Sequence, residues 1–251
     1  MLIDWVAIAP EIALTITALV VLAADLSLRG QAKQLVNPVA ALGTLVAIGF
    51  TLYLWGDQRE TFAGQFVINE FAVLFKLLFL GSLLAILGIS WRFFAEGRYF
   101  QGEYYFLLLT SFIGMLLLPS ARDLLLLFIA LETVSIPAFV MAGLRKRDLY
   151  SSEAAMKFFL IGVLSVALML FGMSMVYGFA GTTSLEGIAA ALEGGASAPL
   201  LLASVMLVFV GFGFKISAVP FHFWAPDTYA GSPMPVAAML AVASKAAGFA
   251  G

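Results

Sequence analysis

Three residues that could carry protons lie within the most apolar parts of this sequence. Lys215 and His222 flank Pro220 in one apolar stretch, and Lys245 interrupts the next one. A charge near the centre of a bilayer costs at least about 2.5 kcal/mol, so it usually faces the protein interior and has a function. A proline in the same span frees backbone carbonyl groups, which a membrane tolerates only where neighbours or a cavity satisfy them. A broken helix with buried lysines therefore indicates an ion path.

Glu132 is the carboxylate that could work with these lysines. It lies about ten residues from the outer end of the fifth predicted span, which at 1.5 Å per residue is near the membrane midplane. Its proton affinity would depend on burial and on a nearby cation, so movement of that cation would switch the site. The alternative is that Glu132 only pairs with a lysine and holds two helices together. Ser135 and Pro137 follow on the next turn, where a proline loosens the helix backbone.

The lysines and the histidine differ in how easily they could reach water. Lys157 lies about one turn inside the sixth predicted span, so its amine could also snorkel to the cytoplasmic surface. Lys215 lies about sixteen residues into its span and has no such escape, and a desolvated lysine is suited to proton relay. Lys245 lies about twelve residues into the last span, near the midplane. His222 is either a packing residue or, beside a broken helix, a group that passes protons near pH 7.

Composition places the chain in a membrane. Of its 251 residues, 63% are hydrophobic and 11% are charged, whereas soluble domains carry about 25% charged residues. A net charge of −2 argues against nucleic acid as a partner. The absence of cysteine excludes thiolate-held iron–sulfur clusters and disulfides, and a single histidine disfavours haem or zinc ligation. The sequence therefore predicts no cofactor in this chain, and any redox chemistry must occur elsewhere.

Apolar runs of about 20 residues are needed to cross the hydrocarbon core. The sequence predicts an all-α polytopic membrane protein with about eight transmembrane helices. The predicted spans are 5–28, 35–55, 70–93, 103–119, 122–144, 153–179, 199–225 and 233–251. The fourth and fifth form a tight helical hairpin, and the seventh is discontinuous around Pro220. The first is a retained helix, because it has no basic segment before it and no cleavage site. The eighth ends without a polar flank, so we expect a truncated chain.

Basic residues predict the orientation, because short cytoplasmic loops are enriched in lysine and arginine. The loops after the first, third and fifth spans contain Arg29, Lys33, Arg92, Arg98, Arg145, Lys146 and Arg147. The other loops offer only Arg59 and Arg122. This pattern predicts an exoplasmic N-terminus in a bacterial plasma (inner) membrane. The loop 182–198 is then exoplasmic and could contain a short amphipathic helix.

Two further sets of charges are expected to be structural. Lys76, near the outer end of the third span, is predicted to be a snorkelling anchor that Glu70 could satisfy. Asp25 and Arg29 are one helical turn apart at an inner membrane face and are predicted to pair.

The segment that begins at Lys215 resembles the antiporter-like membrane subunits of respiratory complex I. It reads KISAVPFHFWAPDTYAGSPMPV and is followed by Lys245. The run after Trp224 is most similar to one of the three antiporter-like subunits. The other two and the Mrp cation/proton antiporters share Pro-Phe-His-x-Trp and tend to vary after the tryptophan. The resemblance extends over the whole chain, including the residues around Glu132 and Lys157.

The resemblance implies a fold of two inverted five-helix repeats, each with a discontinuous helix. Residues 1–100 would be an N-terminal three-helix segment, and 101–251 the first repeat. By resemblance, Glu132 and Lys215 form the coupled pair at the intake half of a proton channel. His222 then lies between them and the central lysine, Lys245, and Lys157 tunes the pair. The second repeat of the family is absent from this sequence.

The function that follows is proton translocation in an NADH:quinone oxidoreductase, by a subunit without a redox centre. The resemblance implies that partner subunits hold FMN and iron–sulfur clusters and that quinone is a substrate of the complex. The expected partners are other membrane subunits, including antiporter-like ones, and the lipid bilayer. One alternative is an Mrp-type Na⁺(K⁺)/H⁺ antiporter subunit, which needs a cation site of carboxylates and carbonyl groups. Another is a scaffold whose buried charges only pair.

Overall fold

The computed structural model describes residues 3–28, 30–97, 102–145, 147–193 and 198–251. Within these residues, seven helices are long and apolar enough to cross a membrane, and a shorter apolar stretch covers Met234–Ala250. The helices are α1 (Ala9–Ser27), α2 (Val36–Tyr53), α3 (Glu70–Gly97), α4 (Gly102–Leu117), α5 (Leu124–Ala142), α6 (Leu149–Ala180), α7 (Leu185–Glu193), α8 (Ala198–Ile216), α9 (Trp224–Gly231), α10 (Met234–Ala241) and α11 (Ala243–Ala250). The predicted all-α polytopic membrane fold is confirmed. The predicted eighth span corresponds to the shorter apolar stretch Met234–Ala250.

Small residues let the long helices pack closely, as is usual in membranes. A Cβ atom at Gly114 of α4 would lie 2.7 Å from the backbone oxygen of Ala130 in α5. One at Gly172 of α6 would lie 2.7 Å from the backbone oxygen of Ser204 in α8. Neither glycine can gain a side chain unless the two helices move apart. These two contacts fix the positions of α5 and α8, which carry the half-buried Glu132 and the buried Lys215.

A short β-hairpin lies at one end of the bundle. β1 (Arg59–Thr61) pairs antiparallel with β2 (Phe66–Ile68). The Arg59 guanidinium donates a hydrogen bond of 3.0 Å to Asp4, and this bond holds the pKa of Asp4 below its ordinary value. The segment before α1 is thereby tied to the hairpin.

Two of the predicted membrane spans are broken. α8 ends at Ile216 and α9 begins at Trp224, so the seventh span is discontinuous around Pro220, as predicted. The eighth is broken as well, between α10 and α11, where Val242 has φ −113° and ψ −73°. The sequence did not predict this second break. The short helix expected in the loop 182–198 is α7.

The N-terminal charges pair differently from the prediction. Lys76 is 0% exposed and forms a 2.6 Å ion pair with Glu11 of α1, so the expected snorkelling anchor beside Glu70 is wrong. A sequence offers no direct sign of a partner on a distant helix. Asp25 pairs with Lys33 at 2.7 Å. Its predicted partner Arg29 lies outside the described residues, as do Arg98 and Lys146.

Asp123 joins the start of α5 to the loop before α7. Its Oδ1 accepts a hydrogen bond of 2.8 Å from the N–H of Leu125, and its Oδ2 accepts one of 2.5 Å from the Thr183 hydroxyl. Loss of a helix N-cap costs about 1 kcal/mol, and loss of the Thr183 partner adds to this cost. We expect Asp123→Ala to lower the thermal unfolding temperature of the purified protein by several degrees.

The matched control is Asp148, which caps α6 by accepting a single hydrogen bond of 3.0 Å from the Tyr150 N–H. This cap is exposed, and the only other side-chain contact of Asp148 among the described residues is a 3.8 Å ion pair with Arg145. Asp148→Ala should therefore shift the unfolding temperature less. Equal shifts for the two variants would show that the Thr183 contact contributes nothing.

Candidate proton-transfer site

The break after α8 leaves backbone carbonyl groups inside the bundle that need partners. Ser217 has φ 56°, a left-handed conformation that ends the helix, and its N–H donates to the Phe214 carbonyl at 3.1 Å. Trp224, the first residue of α9, donates from Nε1 to the same carbonyl at 3.2 Å. The break therefore has a defined geometry. It places the C-terminal end of α8, which carries a partial negative charge, within the protein.

Lys245 of α11 binds this end of α8. Its Nζ donates a hydrogen bond of 3.1 Å to the carbonyl oxygen of Ile216. The same amine lies 5.9 Å from the centre of the Trp224 ring and 5.7 Å from that of Tyr229. A helix C-terminus and aromatic faces both stabilise a cation. The break between α10 and α11 thus begins the short helix that brings Lys245 to the end of α8.

Lys215 lies in the last turn of α8 and points toward α5. The residue is 4% exposed, and its Nζ donates a hydrogen bond of 3.1 Å to the Ser135 hydroxyl. That hydroxyl donates in turn to the carbonyl oxygen of Leu131 at 2.7 Å. Because Ser135 gives its proton to the backbone, its oxygen is free to accept from a charged amine. In the described residues Lys215 has no carboxylate in salt-bridge contact.

Glu132 lies one helical turn before Ser135 on α5. One of its carboxylate oxygens, Oε1, is buried and has no hydrogen-bond partner among the described residues. The Glu132 and Lys215 charges are close enough to interact electrostatically. An unpartnered buried carboxylate oxygen is costly unless it is protonated or a cation lies nearby. The geometry is that of two separated charges with a hydroxyl beside the lysine, rather than of a closed ion pair.

His222 lies in the segment between α8 and α9. Its ring centre is 4.7 Å from that of Phe223, and its Nδ1 is buried without a hydrogen-bond partner in the described part of the chain. No hydrogen bond joins its side chain to Lys215 or Lys245 among these residues. The structure therefore places His222 at the break but does not bring it into contact with the two lysines.

An aromatic stack joins α6 to the two sides of the break. The Phe158 ring of α6 stacks on Trp224 with ring centres 4.4 Å apart, and it stacks on Phe214 at 5.8 Å. All three side chains are almost completely buried. Water is thereby excluded from this side of the break, which strengthens electrostatic interactions within it.

Lys157 pairs with two carboxylates. Its amine lies 2.6 Å from Glu153 one turn earlier and 2.6 Å from Asp227 of α9, and its side chain is 43% exposed. α6 begins at Leu149 rather than 153, so Lys157 lies more than two turns inside the helix, where the prediction was one. The cause is Asp148, which caps the helix ahead of the polar residues that resembled a loop.

Lys157 has two carboxylate partners, so we expect each to compensate for the loss of the other. If the chain acts in the oxidoreductase that the sequence resemblance implies, Asp227→Asn or Glu153→Gln alone should reduce quinone reductase activity by roughly twofold at most, and the double variant by clearly more than the product. The measurement is the NADH:quinone reductase rate of membranes that carry each variant at equal amounts of protein. If the double variant is as active as either single variant, the ion pairs of Lys157 do not contribute to the activity.

The structure brings together Glu132, Lys215, Pro220 and Lys245 around the end of α8, and places His222 beside them. Lys157 pairs with Glu153 and Asp227 instead, and the residue after it, Phe158, packs on Trp224 and Phe214 beside the break. Ser135 and Asp227 were not predicted as partners. For Ser135 a signal was available, because it lies one turn from Glu132 and so on the same helix face. Asp227 offered a carboxylate on the segment after the break, and nothing in the sequence indicated its approach to α6.

A buried lysine, a half-buried lysine, a half-buried carboxylate and a helix broken in mid-span define a class: polytopic ion-translocating membrane proteins with discontinuous helices. The family described as "NADH:quinone oxidoreductase/Mrp antiporter, TM" matches residues 121–251, more than half of the sequence. The chain belongs to this family, which confirms the resemblance seen in the sequence.

Relatives in the family are similar over nearly the whole chain. NADH-quinone oxidoreductase subunit N 2 of Streptomyces griseus is 42% identical and covers 99% of the chain and 48% of that protein. F(420)H(2) dehydrogenase subunit N of Methanosarcina mazei is also 42% identical, over 96% of the chain and 50% of that protein. A chain of respiratory complex I from Thermus thermophilus matches with a TM-score of 0.80 and 33% identity, over 96% of this chain and 52% of that one. This chain therefore spans about half the length of the relatives it matches.

Proposed function

We propose that this chain is part of subunit N of an NADH:quinone oxidoreductase and moves protons without carrying out redox chemistry. The observation that carries the proposal is the buried Lys215 amine, held by Ser135 at 3.1 Å at the end of a broken helix and within electrostatic range of Glu132. A desolvated lysine changes its protonation state readily, which a fixed structural cation does not need to do.

The first step takes place between α5 and α8. While Glu132 is negative, it favours the charged form of Lys215. A proton that binds the free carboxylate oxygen of Glu132 removes this negative charge. The Lys215 ammonium, left with only the Ser135 hydroxyl as a partner, then releases its proton. Glu132 and Lys215 therefore exchange proton occupancy without any covalent change in the chain.

The second step crosses the break. Lys215 lies in the last turn of α8, and Lys245 holds the carbonyl of Ile216, the next residue. A neutral Lys245 amine can accept a proton there, because the helix end and the two aromatic rings stabilise the resulting cation. His222 supplies a ring beside the break that could pass the proton, with water linking it to the lysines. Lys157, held by Asp227 on α9, tunes the pair by fixing the position of that helix.

The surroundings of the chain follow from the same proposal. FMN and iron–sulfur clusters in partner subunits oxidise NADH and reduce quinone, and the energy of this reaction moves charge along the buried groups. Neighbouring membrane subunits, including other antiporter-like ones, and lipid cover the apolar outer faces. The membrane is a bacterial plasma membrane with the N-terminus of the chain outside. Residues 1–100 form an N-terminal segment, and 101–251 the first five-helix repeat.

The competing function is an Mrp-type Na⁺(K⁺)/H⁺ antiporter subunit. It would need a cation site, and in the part of the chain that the structure describes no group of three or more acidic or histidine side chains could hold a metal ion. The relatives described above carry names of NADH-quinone oxidoreductase and F(420)H(2) dehydrogenase subunits. These names favour the oxidoreductase subunit.

The test is proton movement in inverted membrane vesicles that contain the complete subunit, in buffer free of sodium and potassium. We expect NADH with quinone to acidify the vesicle interior, and cells that lack the gene to give vesicles without this acidification. Proton movement that requires Na⁺ or K⁺ and proceeds without NADH would contradict the proposal and support the antiporter.

A further inference from the structure

Buried hydroxyl groups without partners are concentrated between the end of α8 and the start of α10. Among the described residues, the side-chain oxygen atoms of Ser217, Thr228, Tyr229 and Ser232 are buried and have no hydrogen-bond partner. Buried polar groups in folded proteins nearly always have a partner, so each exception needs an explanation. Two of these four residues, Ser217 and Tyr229, have surroundings that indicate a function.

Ser217 occupies a backbone position at which glycine would be less strained. Its φ of 56° lies in the left-handed region, and its N–H closes the end of α8 by donating to the Phe214 carbonyl at 3.1 Å. Helices commonly end in this conformation, and the residue is usually glycine, because a Cβ atom is disfavoured there. The serine adds a hydroxyl group that bonds to nothing in the described chain. The helix end alone therefore does not explain why this residue is a serine.

Tyr229 of α9 lies against both Ser217 and Lys245. Its ring centre is 5.7 Å from the Lys245 amine and 6.0 Å from the centre of the Trp224 ring. Its hydroxyl is close enough to the Ser217 hydroxyl to interact with it, although the two groups do not form a hydrogen bond. The Lys245 amine donates to the carbonyl of Ile216, the residue before Ser217. The two hydroxyl groups and the amine are therefore gathered around the end of α8.

His222 is less well placed to reach Lys245. Its ring contacts Phe223, and its buried Nδ1 has no hydrogen-bond partner among the described residues. The rings that lie near the Lys245 amine in this part of the chain are those of Trp224 and Tyr229. An indole N–H only donates, whereas a phenol hydroxyl both accepts and donates and can therefore pass a proton on. Tyr229 is thus the neighbour of Lys245 with the chemistry for proton transfer.

We propose that the Ser217 and Tyr229 hydroxyls form a hydroxyl pair that passes protons across the break to Lys245. This inference rests on the proposed function, in which the Lys215 ammonium supplies the proton and the neutral Lys245 amine receives it. Each hydroxyl oxygen accepts a proton on one side while its own proton leaves on the other, so neither group becomes charged. Rotation of the two O–H bonds then restores the starting state. Water bound to these otherwise unpartnered oxygens closes the remaining gaps.

The first test is Tyr229→Phe in the complete subunit, assembled with its native partners in inverted vesicles. Phenylalanine keeps the ring beside Lys245 and Trp224 and removes only the hydroxyl. We expect NADH-driven acidification to fall by about tenfold or more, with an unchanged thermal unfolding temperature. Tyr177→Phe, on α6 with a side chain that is 51% exposed, is the matched control and should pump at the wild-type rate.

The second test is Ser217→Gly, for which a proton-passing role and a structural role predict different results. Glycine adopts a φ of 56° without strain, so the unfolding temperature should stay the same or rise. Pumping should nevertheless fall by about tenfold or more. A purely structural Ser217 would instead leave pumping at the wild-type rate. The control is Ser165→Ala, which removes a buried hydroxyl that donates to the Ile161 carbonyl of its own helix at 2.8 Å and should pump normally.

Wild-type pumping by either Tyr229→Phe or Ser217→Gly would overturn the hydroxyl pair, because a path through both oxygens needs both of them. Lys245→Arg tests the proposed function separately. If this variant does not pump while the two hydroxyl variants do, the relay stands and crosses the break by another route. If Tyr229→Phe lacks NADH–ferricyanide activity and so has not assembled, Ser217→Gly alone decides.

Discussion

Lys215→Met is expected to reduce NADH-driven proton pumping by about tenfold or more, the scale on which positioned proton-transfer groups act. Methionine is unbranched and apolar, so it fills most of the space of the lysine without a charge. The Ser135 hydroxyl keeps its hydrogen bond to the Leu131 carbonyl at 2.7 Å, so no buried donor is orphaned. Structural damage should therefore be small, and the loss should report the missing proton. Acidification of inverted vesicles measures it.

The control for this variant is Lys33→Met. Lys33 forms an ion pair with Asp25 at 2.7 Å, and its side chain is 29% exposed. It should pump at close to the wild-type rate. Equal pumping by Lys215→Met and wild type would mean that Lys215 is structural.

Lys245→Arg is expected to show whether this position needs only a positive charge or needs a group that can release its proton. Arginine keeps a cation at the Ile216 carbonyl and over the rings of Trp224 and Tyr229, but it does not release its proton. The thermal unfolding temperature should therefore stay near that of the wild type, while pumping falls by about tenfold or more. Both quantities are measured on the same purified preparation.

Lys245→Met completes the comparison. It removes the donor to the Ile216 carbonyl, 3.1 Å away, and leaves that oxygen unsatisfied at a cost of about 1–3 kcal/mol. This variant should lose both stability and pumping. Normal pumping by Lys245→Arg would show that only the positive charge matters at this position, and that the proton takes another route.

The membrane-spanning helices could be predicted from hydropathy, because each span needs enough apolar residues to cross the membrane. The break could be predicted from a proline, because every backbone polar group within the membrane needs a hydrogen-bond partner. The break after Ile216 was predicted from Pro220 and the charges around it. The break at Val242 was not, since neither a proline nor a glycine lies between α10 and α11. It arises from packing, as Lys245 reaches the end of α8, and tertiary packing leaves no local signal.

Charged residues show the same limit at the level of the site. Their positions near the midplane correctly predicted that Lys215 is buried and that Lys245 is partly buried. Partners on other helices could not be predicted: Glu11 for Lys76, Asp227 for Lys157 and Ser135 for Lys215 are all distant in sequence. Glu70 was preferred for Lys76 only because it is close along the chain.

The relay is tested most directly by proton pumping in the double variant Glu132→Gln/Lys215→Met, with NADH–ferricyanide activity as the control for assembly. If the two charges only hold helices together, removal of both should be tolerated better than removal of one, because no unpaired charge stays buried. If they carry protons, the double variant should pump no better than the worse single variant while the ferricyanide reaction stays intact. Pumping restored toward the wild-type rate would contradict the relay.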